Sequence, residues 1–482
     1  MERQLSLEVM PIIIIDQIAS YLSTEDIMAC CATSTKMRDV FSDDLIWRRY
    51  CNVDRINYLK RSACWVEPVF EWENDRLSKL SPITEWKRNF MMQAHLFQNW
   101  RNGRFEKSEL EYGPPNVVYS QSRIEFYEND FLFLHTYLIN NNKLLDEIWD
   151  VVETPFLHST FSSNIDQFDN LDSLVFYKIA KNKLVVGVYN LILVYDITLG
   201  SFSRIPLVNA FLFEKSEKGS KDVITHDENT FYRTTYFELV YQVEMTVSGN
   251  LFIGAVTNFK DLPCPAFHVW DIQKGQKIDE VNVPVGSNLA IDGLQFLSCD
   301  DEKNVVVKLR VLHDRHTYHC YGYDLSKMMF TSFLVKLNYC DFQVFKSKFL
   351  IGAAAERIFV YNYETSEKLL VRKCPQQILK KTINVVGQML LFGTFENVVH
   401  VFDLTTLDII NKVKLGFTLY SLRAICDKFV VINSVNSEVW EIGRTARKLF
   451  KFPVNGSFVA VNQHCTKLAI EKENKIVILH FW

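Results

Sequence analysis

An apolar stretch near the start of the sequence reads Met10-Pro11-Ile12-Ile13-Ile14-Ile15-Asp16-Gln17-Ile18-Ala19-Ser20-Tyr21-Leu22. Proline suits the first turn of a helix, where its missing N–H group would bond nothing. Ile14, Ile18 and Leu22 follow one another at four-residue steps, which is the spacing of one helical face. Four β-branched residues in succession would also suit a buried strand. The proline start and the continued helical spacing favour a helix.

This helix carries more apolar surface than a short unit can bury. Four consecutive isoleucines cover nearly its whole circumference, so it needs apolar neighbours on most sides. Ser23 and Asp26 have the spacing of a capping box and predict a second helix directly afterwards. A unit of about 45 residues cannot enclose this surface by itself. The helices therefore dock either onto their own chain or onto a different protein.

The stretch from Met10 to Arg49 resembles the F-box, the helical module that attaches substrate receptors to the Skp-type adaptor of cullin-RING ubiquitin ligases. The matching positions are Met10-Pro11, Ile14-Ile15, Ile18, Ser20-Tyr21-Leu22, Asp26-Ile27, Cys30-Cys31 and Ile46-Trp47-Arg48-Arg49. The usual pattern opens Leu-Pro-x-Glu, whereas this chain has Met10 for the leucine and Ile13 for the glutamate. By this resemblance, residues 1–51 form an F-box that binds a Skp-type adaptor and, through it, a cullin. The expected adaptor contacts are Pro11, Ile14, Ile15, Ile18, Leu22, Ile27 and Trp47.

A second helical segment, rich in aromatic residues, is predicted within residues 52–112. Trp86, Phe90, Ala94 and Phe97 recur at helical spacing, and Gly103 supplies a helix stop. The segment resembles the helical linker that joins the F-box to the propeller in F-box/WD-repeat proteins. Any stiff helical spacer would show the same pattern.

After Gly113-Pro114-Pro115 the chain changes to short β-branched and aromatic runs bounded by turn residues. Aliphatic residues, an aromatic residue and then Asp or a relative recur at the end of one run. The copies are Trp149-Asp150, Tyr195-Asp196, Trp270-Asp271, Tyr323-Asp324, Tyr361-Asn362, Phe402-Asp403 and Trp440-Glu441, with a weaker one in Ile476–Phe481. They lie 38 to 53 residues apart, with one gap of 75. Short strands repeated at this period predict a β-propeller.

The predicted architecture is thus α plus all-β, with helices followed by a propeller over residues 113–482. The repeats resemble degenerate WD repeats, because no Gly-His dipeptide occurs and Trp-Asp is intact at only two places. Eight copies favour eight blades, with seven as the alternative. The last copy lacks an outermost strand, and a sheet edge needs a partner. Residues near Val117–Tyr119 are expected to supply it.

No motif for catalysis or cofactor binding is found, so neither an enzyme nor a cofactor is expected. His313, His316, His319 and Cys320 form the densest group of metal-ligand residue types. On a strand His313 and His316 would point to opposite faces, so a shared metal would need a turn between them. A structural loop is favoured over a metal site.

The resemblance implies that the propeller holds a protein substrate. Insertions at the crossing 202–236, the hairpin turn Asn258–Pro265 and the turn near His313–His316 would project onto one rim, and long loops on a rigid scaffold often bind. The expected substrate contacts are Lys215, Lys218, Lys221, Arg233, Lys260 and Arg315. Basic residues would suit a phosphorylated substrate, but the sequence leaves phosphorylation open. The alternative is that these loops are uninvolved in binding.

Composition narrows the class of protein further. The net charge of −4 disfavours a dedicated nucleic-acid or membrane-surface binder. The 11 cysteines contain no C-x-x-C pair, which suits a reducing compartment. No leader pattern or 18-residue apolar run is present. We therefore expect a cytoplasmic or nuclear protein without membrane or nucleic-acid partners.

The combination of modules resembles an F-box/WD-repeat substrate receptor of an SCF-type ubiquitin ligase. Such a receptor performs no chemistry and brings substrate lysines close to the conjugating enzyme. The rival class is a propeller scaffold without a ubiquitin role, whose N-terminal helices merely cap it. Co-purification with adaptor and cullin distinguishes the two classes.

Overall fold

In the computed structural model the chain is described from Met10 to Trp482. The ranges not described are 68–82, 112–118, 128–129, 139–142, 153–154, 165–174, 181–182, 189–190, 197–206, 213–219, 228–229, 238–241, 258–265, 286–290, 299–302, 312–316, 339–340, 346–348, 355–356, 363–364, 366, 375–376, 427, 434–436, 444, 453–458 and 473–474.

Six helices precede the first strand in this described part of the chain. They are α1 (Ile12–Ala19), α2 (Thr24–Thr33), α3 (Thr35–Phe41), α4 (Asp44–Arg48), α5 (Val53–Arg61) and α6 (Glu85–Asn102). Pro11 lies at the N-cap of α1, one residue before the predicted first turn. The capping box of α2 is confirmed, because the Asp26 amide donates to Ser23 Oγ and the Ser23 amide donates to Asp26 Oδ2, both at 3.1 Å. α6 ends before Gly103, whose φ of +61° favours glycine.

The strands from β1 to the end of the third sheet occupy the first half of the propeller. They are β1 (Glu106–Glu111), β2 (Tyr119–Tyr127), β3 (Phe131–Leu138), β4 (Lys143–Asp150), β5 (Phe156–Asn164), β6 (Val175–Ala180), β7 (Lys183–Val188), β8 (Leu191–Asp196), β9 (Leu207–Leu212), β10 (Ser220–Asp227), β11 (Thr230–Phe237), β12 (Gln242–Ser248), β13 (Leu251–Thr257), β14 (Ala266–Asp271) and β15 (Gln276–Asn282).

The second half continues the same pattern. Its strands are β16 (Ile291–Ser298), β17 (Asn304–Val311), β18 (Thr317–Asp324), β19 (Met329–Asn338), β20 (Asp341–Phe345), β21 (Phe349–Ala354), β22 (Arg357–Asn362), β23 (Glu367–Lys373), β24 (Ile378–Val386), β25 (Met389–Thr394), β26 (Val398–Asp403), β27 (Asp408–Lys414), β28 (Ser421–Ala424), β29 (Phe429–Asn433), β30 (Glu438–Glu441), β31 (Arg447–Lys451), β32 (Val459–Val461), β33 (Lys467–Lys472) and β34 (Lys475–His480).

The described strands form eight antiparallel sheets. Sheet 1 is β2–β5 with β10 and β11 added beside β5, sheet 2 is β6–β9, sheet 3 is β12–β15, sheet 4 is β16–β19, sheet 5 is β20–β23, sheet 6 is β24–β27, sheet 7 is β28–β31, and sheet 8 is β32–β34 with β1. Shared apolar clusters join sheets 2 and 3, 3 and 4, 5 and 6, 6 and 7, 7 and 8, and 8 and 1. β16 packs beside β20 and so links sheets 4 and 5. The prediction of N-terminal helices followed by a β-propeller is confirmed.

The recurring aromatic–Asp pairs close the third strand of successive sheets. Asp271 ends β14, and its Oδ1 accepts the Gln273 amide at 2.8 Å. Asp403 ends β26, and its Oδ1 accepts the Thr405 amide at 2.7 Å. Such carboxylates satisfy turn amides that would otherwise lack a partner, which gives the repeat a structural reason for its acidic position.

Sheet 8 is completed by a strand from the N-terminal side of the propeller. β1 pairs with β34 in antiparallel register, with Glu106 opposite His480 and Glu111 opposite Lys475. The expectation that Val117–Tyr119 supplies this strand is therefore wrong, because Tyr119 begins β2 of sheet 1. The propeller also begins earlier than residue 113, within the range 52–112 expected to be linker.

The long insertion between sheets 2 and 3, the crossing 202–236, is not a simple rim loop. It contains β9, which is the fourth strand of sheet 2, and the hairpin β10–β11. The hairpin pairs with the outer strand of sheet 1, with Ile224 opposite Asn164. Edge pairing of this kind satisfies backbone groups that a long loop would leave to solvent.

Candidate adaptor-binding and substrate-binding surfaces

The helices α1 to α4 enclose a small apolar core with Trp47 at its centre. Trp47 is fully buried, and its Nε1 donates to the Phe41 carbonyl at 2.8 Å. Its ring lies 4.8 Å, centroid to centroid, from the ring of Phe90 on α6. Ile15 and Ile27 are fully buried in the same cluster. The linker helix thus supplies apolar surface that these short helices lack on their own.

The predicted adaptor contacts divide by burial. Pro11 and Ile14 are exposed, and Ile18 and Leu22 are half-buried. The structure places the other three, which are Ile15, Ile27 and Trp47, in the interior. A side chain without exposed area supports a binding surface and does not form it, so these three residues cannot contact a partner directly in this conformation.

The F-box helices also carry exposed apolar side chains that were not predicted from the sequence. Ile13 and Tyr21 on and after α1 are 74% and 85% exposed, and Met28 and Leu45 are about half exposed. Ile13 stands where the F-box pattern has glutamate. The run of four isoleucines hid the distinction, because a helix that is apolar all round has no pattern that separates its outer face from its inner face.

The start of α6 is hydrogen-bonded to the N-terminal helices. Thr84 Oγ1 donates to the Ser42 carbonyl, the Trp86 amide donates to Asp44 Oδ1, and Lys87 Nζ donates to Ser42 Oγ, each at 2.8 Å. Further along, Gln93 Oε1 accepts the Asn52 amide at 3.0 Å and Gln93 Nε2 donates to the Tyr50 carbonyl at 2.9 Å. These bonds fix α6 against the helices.

The end of α6 is packed into the propeller through stacking, hydrogen bonds and an ion pair. The Trp100 ring stacks on Phe481 with centroids 3.5 Å apart, and Trp100 Nε1 donates to the Cys465 carbonyl at 2.7 Å. Asn99 Nδ2 donates to the Phe481 carbonyl at 2.9 Å, and Arg101 pairs with Glu441 at 2.8 Å. α6 therefore connects the two modules as one packed body.

Trp65 makes a second attachment between the helical region and the propeller. Its amide donates to the Trp482 carbonyl and its Nε1 donates to the Val152 carbonyl, both at 2.9 Å. Its ring stacks on His480 at 3.9 Å. Trp65 and Trp100 of the linker thus attach the helical region to the propeller.

The propeller has two rims, and the helices occupy one of them. We call the rim formed by the turns around Lys428 and Cys465 the helix-bound rim. In a four-stranded meander the second-to-third turn and the crossing to the next sheet open on the other side. We call that side the open rim, and it holds Phe395 and the segment 415–420.

Two of the predicted substrate contacts lie in the described part of the chain. Lys221 is opposite Tyr236 and Arg233 is opposite Ile224 in the β10–β11 hairpin, which is attached at the open rim. The other four, which are Lys215, Lys218, Lys260 and Arg315, lie outside the described residues. The structure therefore does not show whether the six lie close together.

Exposed aromatic residues on the open rim were not predicted. Phe395 and Tyr420 are 60% and 57% exposed. The Phe395 amide donates to the Gln377 carbonyl at 3.1 Å, and the Leu419 amide donates to Asn397 Oδ1 at 3.0 Å. These bonds hold the two aromatic residues on neighbouring, ordered turns, where they are available to a partner.

The group of histidines near β18 lies only partly in the described chain. His319 and Cys320 are buried in β18, while His313 and His316 lie outside the described residues. Among the described residues no group of three or more His, Cys, Asp or Glu side chains could hold a metal ion. None of the described helices is both long enough and apolar enough to span a bilayer.

These features define a class of protein in which a small helical module is fixed to one rim of a β-propeller. Residues 7–53 match the family described as F-box-like. The chain therefore consists of an F-box-like domain followed by a β-propeller.

Similar solved structures were also found. The C-terminal WD40 domain of Sif2 is 10% identical, with a TM-score of 0.49 over 78% of this chain and 98% of that chain. Sqt1 of Saccharomyces cerevisiae is 10% identical, with a TM-score of 0.48 over 77% and 98%. The computationally designed Ika8 protein is 15% identical, with a TM-score of 0.46 over 76% and 98%. No curated protein was found to match the sequence.

Proposed function

We propose that this chain is the substrate-recognition subunit of an SCF-type ubiquitin ligase. The observation that carries the proposal is the F-box-like match over residues 7–53, on helices that leave Ile13, Ile14 and Tyr21 exposed. Apolar side chains with this exposure fit a surface that a partner covers. A Skp-type adaptor is the proposed partner, and a cullin joins through it.

The role proposed for the chain is positional, and it involves no chemistry of its own. The helices pack on the helix-bound rim, so a protein substrate on the open rim would not compete with the adaptor for space. The packing of α6 against both modules would hold that substrate at a constant distance from the adaptor. A fixed distance raises the effective concentration of substrate lysines at the conjugating enzyme.

Affinity purification of the full chain under proteasome inhibition tests the adaptor half of the proposal. The wild-type chain should capture a Skp-type adaptor and a cullin. The double variant Ile14→Asp with Tyr21→Asp should capture at least roughly thirtyfold less, since losing a central apolar contact costs about 2 kcal/mol or more. Phe395→Asp, on the open rim, is the matched control and should capture both partners normally. A wild-type chain that captures neither would favour the scaffold without a ubiquitin role.

The proposed substrate contacts are tested by a separate set of variants. Replacing Lys215, Lys218, Lys221, Arg233, Lys260 and Arg315 by alanine should reduce substrate capture while adaptor capture stays normal. Phosphatase treatment of the lysate then reports whether the substrate must be phosphorylated, because phosphate oxygens are strong partners for Lys and Arg. Unchanged capture of every substrate would place the contact surface elsewhere, and the exposed Phe395 and Tyr420 would then be tested in the same way.

A further inference from the structure

A groove of about 660 Å³ lies where the F-box, the linker helix and the propeller meet. Met28 of α2, Arg55 of α5, Phe90 and Phe97 of α6, and Lys428 of the helix-bound rim line it. Its volume is in the range of small-molecule sites, which is about 300–1,000 Å³. The F-box, the linker helix and the helix-bound rim of the propeller therefore all border one cavity.

Arg55 lies in the wall of this groove and forms no ion pair with the described residues. The residue is only 8% exposed, and its Nε has no hydrogen-bond partner among the described residues. Its guanidinium carbon lies 5.2 Å from the centroid of the Phe97 ring, and one terminal nitrogen lies 4.0 Å from Cys465 Sγ. No carboxylate of the described chain lies within 4.0 Å of it. A buried charge without a counter-ion is costly, so an anion bound beside Arg55 would offset that cost.

Lys428 brings a second positive charge to the same ring. Its Nζ lies 5.7 Å from the Phe97 centroid, and the described residues place no carboxylate within 4.0 Å of it. The other two cations of the lining are already neutralised, since Arg49 pairs with Asp16 and Arg101 pairs with Glu441. Glu25 is the acidic residue of the lining, and a hydrogen bond from its own backbone and, in smaller part, the nearby charge of Lys428 lower the pKa of its carboxyl. The lining therefore keeps a net positive charge, with Arg55 as its most buried cation.

We propose that this groove binds a small phosphomonoester with an apolar body. Arg55 and Lys428 form no ion pair within 4.0 Å among the described residues, and their positive charges would favour the oxygens of a phosphomonoester, to which a guanidinium can donate two parallel hydrogen bonds. The groove is far larger than a bare phosphate ion, and Met28, Phe90 and Phe97 supply apolar surface for the rest of the ligand. Because the walls belong to three modules, a bound ligand would add contacts between the F-box and the propeller.

Calorimetric titration of the full chain at constant ionic strength tests the proposal with phenyl phosphate, inorganic phosphate and phenol as probes. Phenyl phosphate should bind at least tenfold more tightly than inorganic phosphate, and phenol should not bind measurably. Equal binding of the two phosphates would overturn the proposal, because the apolar walls would then play no part. A phosphotyrosine peptide that binds more tightly than phenyl phosphate would also overturn it in favour of a protein ligand.

Variants show whether the measured binding belongs to this groove. Lys428→Gln should weaken phenyl phosphate binding roughly tenfold, the loss of one charge-assisted hydrogen bond. Arg55→Lys should also weaken binding while it keeps the buried charge, and Glu25→Gln should tighten it. Lys274→Gln, on a remote turn where the side chain is 71% exposed, is the matched control. Equal affinities for the Lys428 and Lys274 variants would overturn the assignment, and both changes are at the surface, so folding is preserved.

Discussion

Trp47 and Ile14 belong to the same set of predicted adaptor contacts, yet one lies in the F-box core and the other at its surface. Trp47→Ala should destabilise the F-box by about 3–5 kcal/mol, because it leaves a cavity and an unpaired Phe41 carbonyl. Adaptor capture would then be lost through unfolding of the helices. Limited proteolysis should cleave this variant within residues 12–48 while Ile14→Asp stays resistant. Equal resistance of the two variants would contradict the buried role of Trp47.

His400 links stability to pH. It is buried and stacked on Phe392, neither ring nitrogen has a partner among the described residues, and burial lowers the pKa of His400 to about 4. The unfolded chain keeps a histidine pKa near 6.5, so between pH 6.5 and 4 it binds more protons than the folded chain. Stability should therefore fall as the pH drops through that window, by up to about 1.4 kcal/mol per pH unit.

Substituting His400 by phenylalanine separates this effect from general acid sensitivity. The variant His400→Phe keeps the aromatic stack and cannot be protonated, so its urea midpoint should fall less steeply between pH 6.5 and 4 than that of the wild type. His480, where burial lowers the pKa to about 3, would still contribute in both chains. Parallel pH profiles for the two proteins would show that His400 is not the titrating group.

Predictions for single residues were correct where short-range sequence spacing alone determines the local structure. The spacing of Ser23 and Asp26 was enough to predict the capping box of α2. Gly103 was predicted to end α6, and it does so in a left-handed backbone conformation that glycine adopts without strain. The exposure of Ile13 and Ile14 could not be predicted in this way. Burial depends on how α1 packs against α3 and α4, and four identical side chains give no sign of which face is covered.

The end of α6 offers a test at the scale of one element. Gly103 has a φ of +61°, and a Cβ there would lie 3.2 Å from the Phe450 ring. Gly103→Ala should destabilise the chain by roughly 1–2 kcal/mol, the cost of a left-handed non-glycine residue. Gly416→Ala is the matched control, because nothing lies within 4 Å of its Cβ position. Equal thermal midpoints for the two variants would contradict the strain.

Elements with a repeated signature were predictable, and elements that depend on distant partners were not. The aromatic–Asp pairs marked the third strands because each sheet needs the same turn after that strand. β1 reads Glu-Lys-Ser-Glu-Leu-Glu, with Leu110 as its buried residue, and only its pairing with β34 makes it a strand. The β10–β11 hairpin likewise depends on the free edge of β5, some 60 residues earlier in the chain.

The closure of sheet 8 makes a prediction about the whole molecule. Glu111 and Lys475 are directly opposite each other on β1 and β34, and their side chains form an exposed ion pair at 2.7 Å. Directly paired strand positions suit a disulfide. The double variant Glu111→Cys with Lys475→Cys should therefore raise the unfolding free energy by about 2–4 kcal/mol once oxidised.

The oxidised double variant needs a control, because the native cysteines of the chain could also form disulfides. Glu111→Cys alone, oxidised in the same way, should unfold like the wild type, and reduction should abolish the gain of the double variant. A double variant that gains nothing on oxidation would show that the ring does not unfold by separation of β1 from β34.

The β1–β34 pairing also has a consequence during synthesis. The ribosome finishes β1 about 370 residues before it makes the strand that β1 must join. At roughly 5–20 residues per second, the nascent propeller waits roughly 20 to 75 s with one edge strand unmatched. Exposed edges pair with other chains, so the unmatched strand is most open to wrong pairing during this interval, and chaperones would be needed then.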